Sequence, residues 1–541
     1  MPQSKVGLWA STNDRKQQIL SAAIDVYNGA VEACLASGDT KRALEYVERS
    51  KARNLVDLLA NRDLIPNKNV PSSVVKQLKM LRREIRTEQR QLDIADRTRR
   101  WNRSFDIETS LDSDGWFADR TRLNQLSRRL ESLVAQEIRP YDAVFSLTQS
   151  IEPIAFNRIQ ALLSNERTAL IEWFITDENF FAFIVDTHHS KPQVWQASAE
   201  DRQALEQWVI QYLTAYSQEK QRWQLELESQ LSQLSDILHI DRLVDLLPGS
   251  CDQLILIPHR FLHIPALQGL PLTTGGCLLD QFPEGVCYAP SAQLMEQTQR
   301  LEHLPLRTLA LFQNPSEDIA YADWESVALC SLFSDARVFD SKADMKTILA
   351  GTNQPTSEGQ CIHFACHGYF NLDSPLESSL ALAEAGTDAA LEDSHLQLME
   401  IVDLDLRQYR LVTLSACETG LTDFTSLSDE YVGFPSGFLY VGMSNVVCSL
   451  WAVSEQTTAL LMFRFYQILH RGEPVARSLN RAQQWLRDLK KIDLETWLQE
   501  LSFPLNPTIR INLRRRLKGF LADDQPFKAP FYWAAFCAIG R

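Results

Sequence analysis

The sequence predicts an α/β sandwich built on a mostly parallel sheet, and three features carry that expectation. After Leu304, four short apolar runs rich in β-branched residues recur: "RTLALFQ", "QCIHFACHG", "RLVTLSACETG" and "NVVCSLWAV". The stretches between them are helix-like, and strands alternating with helices are the signature of a parallel sheet. Earlier in the chain, "TALIEWFITDENFFAFIVD" reads as a two-stranded hairpin turning at "DEN", and "CDQLILIPHRFLHIPALQGLP" as a buried strand followed by a turn.

Bulk properties narrow the class. A chain of 541 residues exceeds one core, so about two to four packed units are expected. An apolar content of 45% with 23% charged residues fits an ordinary globular protein. The formal charge of −15 argues against direct nucleic-acid binding, which calls for a basic face. Ten cysteines without regular spacing, behind a polar N-terminus lacking an apolar export segment, read as reduced thiols in a cytoplasmic protein. The uncharged stretch from Tyr431 to Ser454 holds a Pro, three Gly, four Ser and an Asn. It reads as a buried helix followed by a buried strand, so no membrane association is expected.

The elements follow in order. Within residues 1–65, Lys16 to Arg62 forms two amphipathic helices split by "SGD", an Ala-rich pattern similar to a tetratricopeptide unit. One repeat cannot bury its own face, so this unit reads as the end of a longer array. Residues 66–150 form a charged helical connector in which "LKMLRREIRTEQRQLDIADRTRRWNR" carries more Arg than acid. That run is either a solvated helix face or a patch for RNA or an acidic partner. Residues 151–300 hold the hairpin, Gln- and Glu-rich helices from Glu200 to about Leu247, and the strand at "LILIP"; residues 301–541 hold the four later strands.

Chemistry gathers at the carboxyl ends of strands in such sheets. His367 follows an apolar strand and precedes Gly368, and Cys417 repeats that arrangement fifty positions later. If the two strands are neighbours, imidazole and thiol face each other across a cleft, and the imidazole can take the thiol proton. Spacing alone also admits two ordinary core residues. A metal site formed by Cys361, His363, Cys366 and His367 is a further alternative, although their spacing matches no paired CxxC ribbon.

"HFACHGYFNLDSPLESSLAL", "LVTLSACETG", "DEYVGFPSGFLYVGMSNVVCSLWAVSEQTTALLMFRFY" and the closing "APFYWAAFCAIG" together resemble a CHAT domain, from roughly Thr168 to Arg541. This family is caspase-like, associated with tetratricopeptide repeats, and related to separases and caspases. "YVERSKARNLVDLLA" is similar to the segment linking repeats to that domain. The resemblance implies a caspase-like three-layer sandwich in which 151–300 is an inactive copy and 301–541 the catalytic half. It implies a cysteine endopeptidase with His367 and Cys417 as its dyad, and the amides of Gly368 and Cys417 as oxyanion donors. His259 and His263 then read as structural. Neither a cofactor nor a metal is implied. A regulatory protein partner would act through the helical region.

Between His367 and Arg464 there are fourteen acids against two basic residues, Arg407 and Arg410. A cleft edged by these acids favours a protein substrate with Arg or Lys at the cleavage position, whereas a solvent-facing acidic loop would mean nothing for specificity. Relatives that cut after Arg carry Asp just after the "LW" of "SLWAVSE"; Ala452 stands there instead. Glu455 is therefore the expected specificity acid, followed by Asp429 and Glu430. Acidic neighbours should also hold the Cys417 thiol above its ordinary pKa, giving a weakly active resting enzyme. The rivals are a catalytically silent interaction scaffold and a thiol acyltransferase or amidase using the same dyad.

Overall fold

The apolar runs become strands β1 (Thr168–Ile175), β2 (Phe180–Val185), β3 (Gln193–Gln196), β4 (Gln253–Ile257), β5 (Gly285–Tyr288), β6 (Leu306–Gln313), β7 (Asp335–Phe339), β8 (Gly359–Ala365), β9 (Gly368–Tyr369), β10 (Ser379–Ala381), β11 (His395–Gln397), β12 (Tyr409–Ser415), β13 (Asn445–Ser449) and β14 (Phe536–Gly540). The structure is a computed structural model. It describes residues 13–51, parts of 70–85 and 122–141, 154–299, 306–313, 319–339, 359–371, 375–382, 395–401, 404, 406, 409–422, 432–501 and 507–540. The chain divides into two compact units, Met1–Ala22 with Val56–Glu152, and Ala23–Leu55 with Pro153–Arg541. In the first, short helical segments bury Leu78, Leu81, Leu133 and Ile138 together. The Arg-rich stretch after Ile85 lies outside the described residues.

The second unit carries one sheet of eleven described strands in the order β3-β2-β1-β4-β5-β14-β13-β12-β8-β6-β7. β1, β4, β5 and β14 run parallel, as do β13, β12, β8, β6 and β7. The two sets meet antiparallel at β13 and β14, where Asn445 pairs with Gly540 and Ser449 with Phe536. The last strand of the chain thus completes the sheet begun by the first. β9, β10 and β11 form a small separate sheet that the sequence reading missed, since strands of two and three residues leave no periodicity.

The helices used below are α1 (Asn13–Ala36), α2 (Thr40–Ser50), α3 (Ala199–Gln218), α4 (Lys220–Ile237), α5 (Ala292–Gln299), α6 (Ala320–Cys330), α7 (Phe434–Tyr440), α8 (Glu455–Leu469) and α9 (Val475–Asp488). The "SGD" break works as its chemistry requires. Gly38 takes φ +78° to end α1, and the Asp39 carboxylate caps α2 by accepting from the Arg42 amide at 3.2 Å. α9 packs on β5 and β14.

Side-chain alternation shows how the sheet is covered around β8 and β12. Successive strand residues face opposite sides. His363 and Thr413, paired across β8 and β12, meet Tyr466 of α8 on one side. Phe364 stacks on Phe312 at 4.8 Å and reaches Phe438 of α7 on the other. Helices therefore lie on both faces, giving the layered arrangement expected of buried, mostly parallel strands.

β1 and β2 are buried along their whole length, yet β1 carries a charge at its centre, Glu172, with no exposure. A buried carboxylate needs a partner. Lys51, just past the end of α2, places its Nζ 3.1 Å from Glu172 Oε1 and donates to the carbonyls of Trp173 and Pro258 at 2.8 and 3.2 Å. One α2 turn earlier, the Glu48 carboxylate accepts from the amides of Ala292 and Gln293 at the start of α5, at 2.8 and 2.9 Å. Burial, together with nearby Glu48, holds the Glu172 carboxyl well above the ordinary range. α2 is thereby anchored by charge inside the sheet unit. Lys51→Met should strand the buried Glu172 carboxyl and lower stability by about 3 kcal/mol or more. This is read as an earlier denaturation midpoint by circular dichroism, and an unchanged midpoint contradicts the anchor.

Candidate active site

β8 and β12 are adjacent and parallel, and their last residues, Ala365 and Ser415, are register partners. Neighbouring strands run about 4.8 Å apart, so both chains leave the sheet side by side. His367 and Cys417 each lie two residues beyond that pair. Together they line a cavity of about 100 Å³. Its other walls come from Ile319, Ala322 and Glu325 after β6, Cys366 beside His367, Ser415 and Ala416 before Cys417, and Val453, Glu455 and Thr458 at the start of α8. The cavity sits outside the carboxyl ends of β6, β8 and β12, where strand order reverses: β7 flanks β6 on one side and β8 on the other. Open α/β sheets bind their ligands at such switch points. His367 is exposed and Cys417 half-buried.

The turn carrying Cys417 is tightly held. Glu418 takes φ 58°, a left-handed conformation uncommon outside glycine. The Gly420 amide donates to the Ser449 carbonyl and the Ser449 hydroxyl to the Ala416 carbonyl, both at 2.6 Å. Gly368 lies so close that a Cβ there would stand 2.5 Å from the Cys417 carbonyl oxygen, so only glycine fits. From α3, the Tyr216 hydroxyl donates to Glu418 and accepts from the Ala452 amide at 3.0 Å. From α4, Lys220 Nζ lies 3.2 Å from Glu418. Residues preceding β4 thus steady the turn that presents the thiol.

The Cys417 thiol lies above its ordinary pKa. Burial is the main cause, and Glu418 and Glu455 add to it; the Val453 amide and Lys220 oppose it. The expected direction therefore holds, but desolvation outweighs the acidic neighbours that suggested it.

Of the expected specificity acids, Glu455 lines the cavity at the first residue of α8, while Asp429 and Glu430 lie outside the described residues. Ala452 contributes its amide to Tyr216. His259 and His263 are buried away from this cavity. His259 Nδ1 accepts from the Ile175 amide at 3.0 Å, and burial drives its ring well below the usual value and that of His263 to about 3. Both stay neutral. Among the described residues no group of three or more His, Cys, Asp and Glu is placed to hold a metal ion.

A buried polar chain beneath the cavity was missed from sequence. Tyr466 donates to Thr413 at 2.9 Å and lies 3.3 Å from His363 Nδ1. His363 Nε2 lies 2.9 Å from Glu325 Oε1, and the Ser415 hydroxyl donates to Glu325 Oε2 at 3.1 Å. The available signal was the acid within the apolar helix "AYADWESVALC" and the His within the apolar strand "QCIHFA".

An α/β sheet with imidazole and thiol at neighbouring strand ends has the arrangement of a caspase-like cysteine hydrolase. The family model for the CHAT domain matches residues 193–541, and this chain belongs to that family. No curated protein matches it. Among solved structures it is similar to the Saccharomyces cerevisiae separase–securin complex, at 8% identity and TM-score 0.42, covering 97% of this chain and 44% of that one. It is also similar to RgpB of Porphyromonas gingivalis in a complex of pro- and mature domains, at 11% identity and TM-score 0.34, covering 58% and 68%. A third match is the Arg-specific cysteine proteinase gingipain R, at 9% identity and TM-score 0.34, covering 58% and 67%. This chain spans less than half the length of the separase chain. No helix among the described residues is long and apolar enough to cross a membrane.

Alkylation of Cys417 should rise with pH to a midpoint above the roughly 8.5 of free cysteine. Glu418→Gln removes a negative neighbour and should lower that midpoint; Lys220→Ala removes a positive one and should raise it. A wild-type midpoint at or below the free value contradicts the assignment. Gly368→Ala should force the His367 and Cys417 turns apart and slow alkylation by a peptidyl electrophile at least about tenfold, with little change for iodoacetamide.

Proposed function

We propose that this protein is a cysteine endopeptidase of the cytoplasm that cuts selected protein targets after Arg or Lys. The observation that carries the reading is the pairing of Ala365 with Ser415, which sends His367 and Cys417 off adjacent strand ends to line one cavity. His367 takes the Cys417 proton and the thiolate attacks the scissile carbonyl. The amides of Gly368 and Cys417 receive the developing oxyanion. Protonated His367 then delivers its proton to the leaving amine, and the thioester forms as the C–N bond breaks. Water, deprotonated by His367, hydrolyses the thioester and restores the thiol.

Several features support the finer parts. The acid at Glu455 and the thiol's raised pKa suit a cationic substrate whose arrival favours the thiolate. The charged anchor of α2 gives a regulatory partner bound on the helical region a rigid route into the sheet unit. The region before residue 300 serves as the inactive copy, its helices α3 and α4 holding the Cys417 turn through Tyr216 and Lys220.

Mapping of new protein N-termini in cells carrying wild type or Cys417→Ala tests the reading. Cuts after Arg or Lys should be present only with wild type, and His367→Ala should reduce them by about 10²-fold or more. Identical maps contradict proteolysis and favour a binding scaffold. Turnover of small acyl esters without any new N-termini favours acyl transfer.

A further inference from the structure

The floor of the cavity beside Cys417 is a carboxylate that the sequence did not single out. Glu325 projects from α6 and is 2% exposed, yet it lines the cavity. We infer that Glu325, rather than Glu455, is the residue that receives the charged end of the substrate's basic side chain, an inference that rests on the endopeptidase reading above.

Four observations carry it. Glu325 is fixed from behind, with Oε2 accepting from Ser415 at 3.1 Å and Oε1 at 2.9 Å from His363 Nε2. A carboxylate offers about four acceptor positions, so these contacts leave room for a guanidinium or ammonium. Second, its anchor Ser415 stands two residues before Cys417 on β12, tying the position of the charge to that of the sulfur. Third, the cavity lining also includes Ile319, Ala322, Ala416 and Val453, a surface suited to the methylene stem of Lys or Arg. Fourth, one cavity of about 100 Å³ has both Cys417 and Glu325 in its lining, so a side chain that enters beside the thiol meets the carboxylate.

Charge placement separates the two acids. Glu455 is exposed, so water and salt screen it. Glu325 is out of water, where an opposite charge is attracted far more strongly, and a neutral side chain would forgo that attraction. Glu455 then draws cations towards the mouth, and Glu325 selects among them.

The test uses the whole chain and agmatine, a guanidinium without a peptide. Agmatine should protect wild-type Cys417 from iodoacetamide, while butylurea, which carries no charge, should not. Glu325→Gln keeps the shape and the Ser415 contact. It should raise the agmatine needed for protection at least about tenfold, measured against the variant's own unliganded alkylation rate, whereas Glu455→Gln should shift protection less than about threefold. On peptides differing only in arginine or its neutral isostere citrulline, Glu325→Gln should lose about 100-fold of the arginine preference. Should Glu325→Gln fail to fold, Glu325→Asp retains the charge one methylene further back, and should keep protection by agmatine while weakening that by shorter butylamine.

Absence of protection in wild type, or equal protection in Glu325→Gln, overturns the inference even if arginine peptides are cut. Protection that depends on Glu325 in a protein that cuts no peptide supports the cation subsite and overturns the endopeptidase reading instead.

Discussion

Everything at the site depends on one register: Ala365 opposite Ser415 in adjacent parallel strands. Parallel neighbours end on the same side of a sheet. Two short turns leaving matched positions therefore bring side chains fifty residues apart in sequence to one cavity. Slipping either strand by one residue would reverse every side chain on it. Thr413, His363 and Ser415 would leave the face where Tyr466 and Glu325 await them. The buried polar chain thus fixes the register that the chemistry requires.

The sheet's earlier half contributes directly to the Cys417 turn. Its helices supply the Tyr216 hydroxyl and the Lys220 ammonium to Glu418, beside the thiol, and Trp223 stacks edge-on against Trp451 at 5.6 Å. The last strand joins β5 to β13, so the seam between the two parallel sets lies within one hydrogen-bonded sheet. At the far side, α2 inserts Lys51 and Glu48 into the same half.

Much of the fold was legible because strongly apolar strands separated by helix-like stretches admit few architectures. The hairpin turn at "DEN" and the strand ends before His367 and Cys417 lie where the local residue pattern put them. The antiparallel seam was not legible. "FCAIG" is five apolar residues at the end of the chain, and nothing local says which strand it joins. The same limit hid Glu325. Its meaning comes from Ser415 and His363, which lie ninety and thirty-eight positions away and reach it only when β6, β8 and β12 assemble. Glu455 was easier to find because it sits in a recognisable motif, although its exposed position gives it a weaker hold on a bound cation. Lys51 and Glu172 had a readable half: a lone acid in "TALIEWFI" requires a buried base, but the sequence cannot say which one.

The most direct measurement is a crystal structure of the protein alkylated by a peptide ending in an arginyl chloromethyl ketone. The expected result is a thioether on Cys417, with the His367 ring within about 4 Å of the modified centre. The arginine guanidinium should lie within about 3 Å of Glu325. A label on another residue, or a His367 ring some 10 Å or more from the sulfur, contradicts the shared cavity on which the catalytic assignment rests.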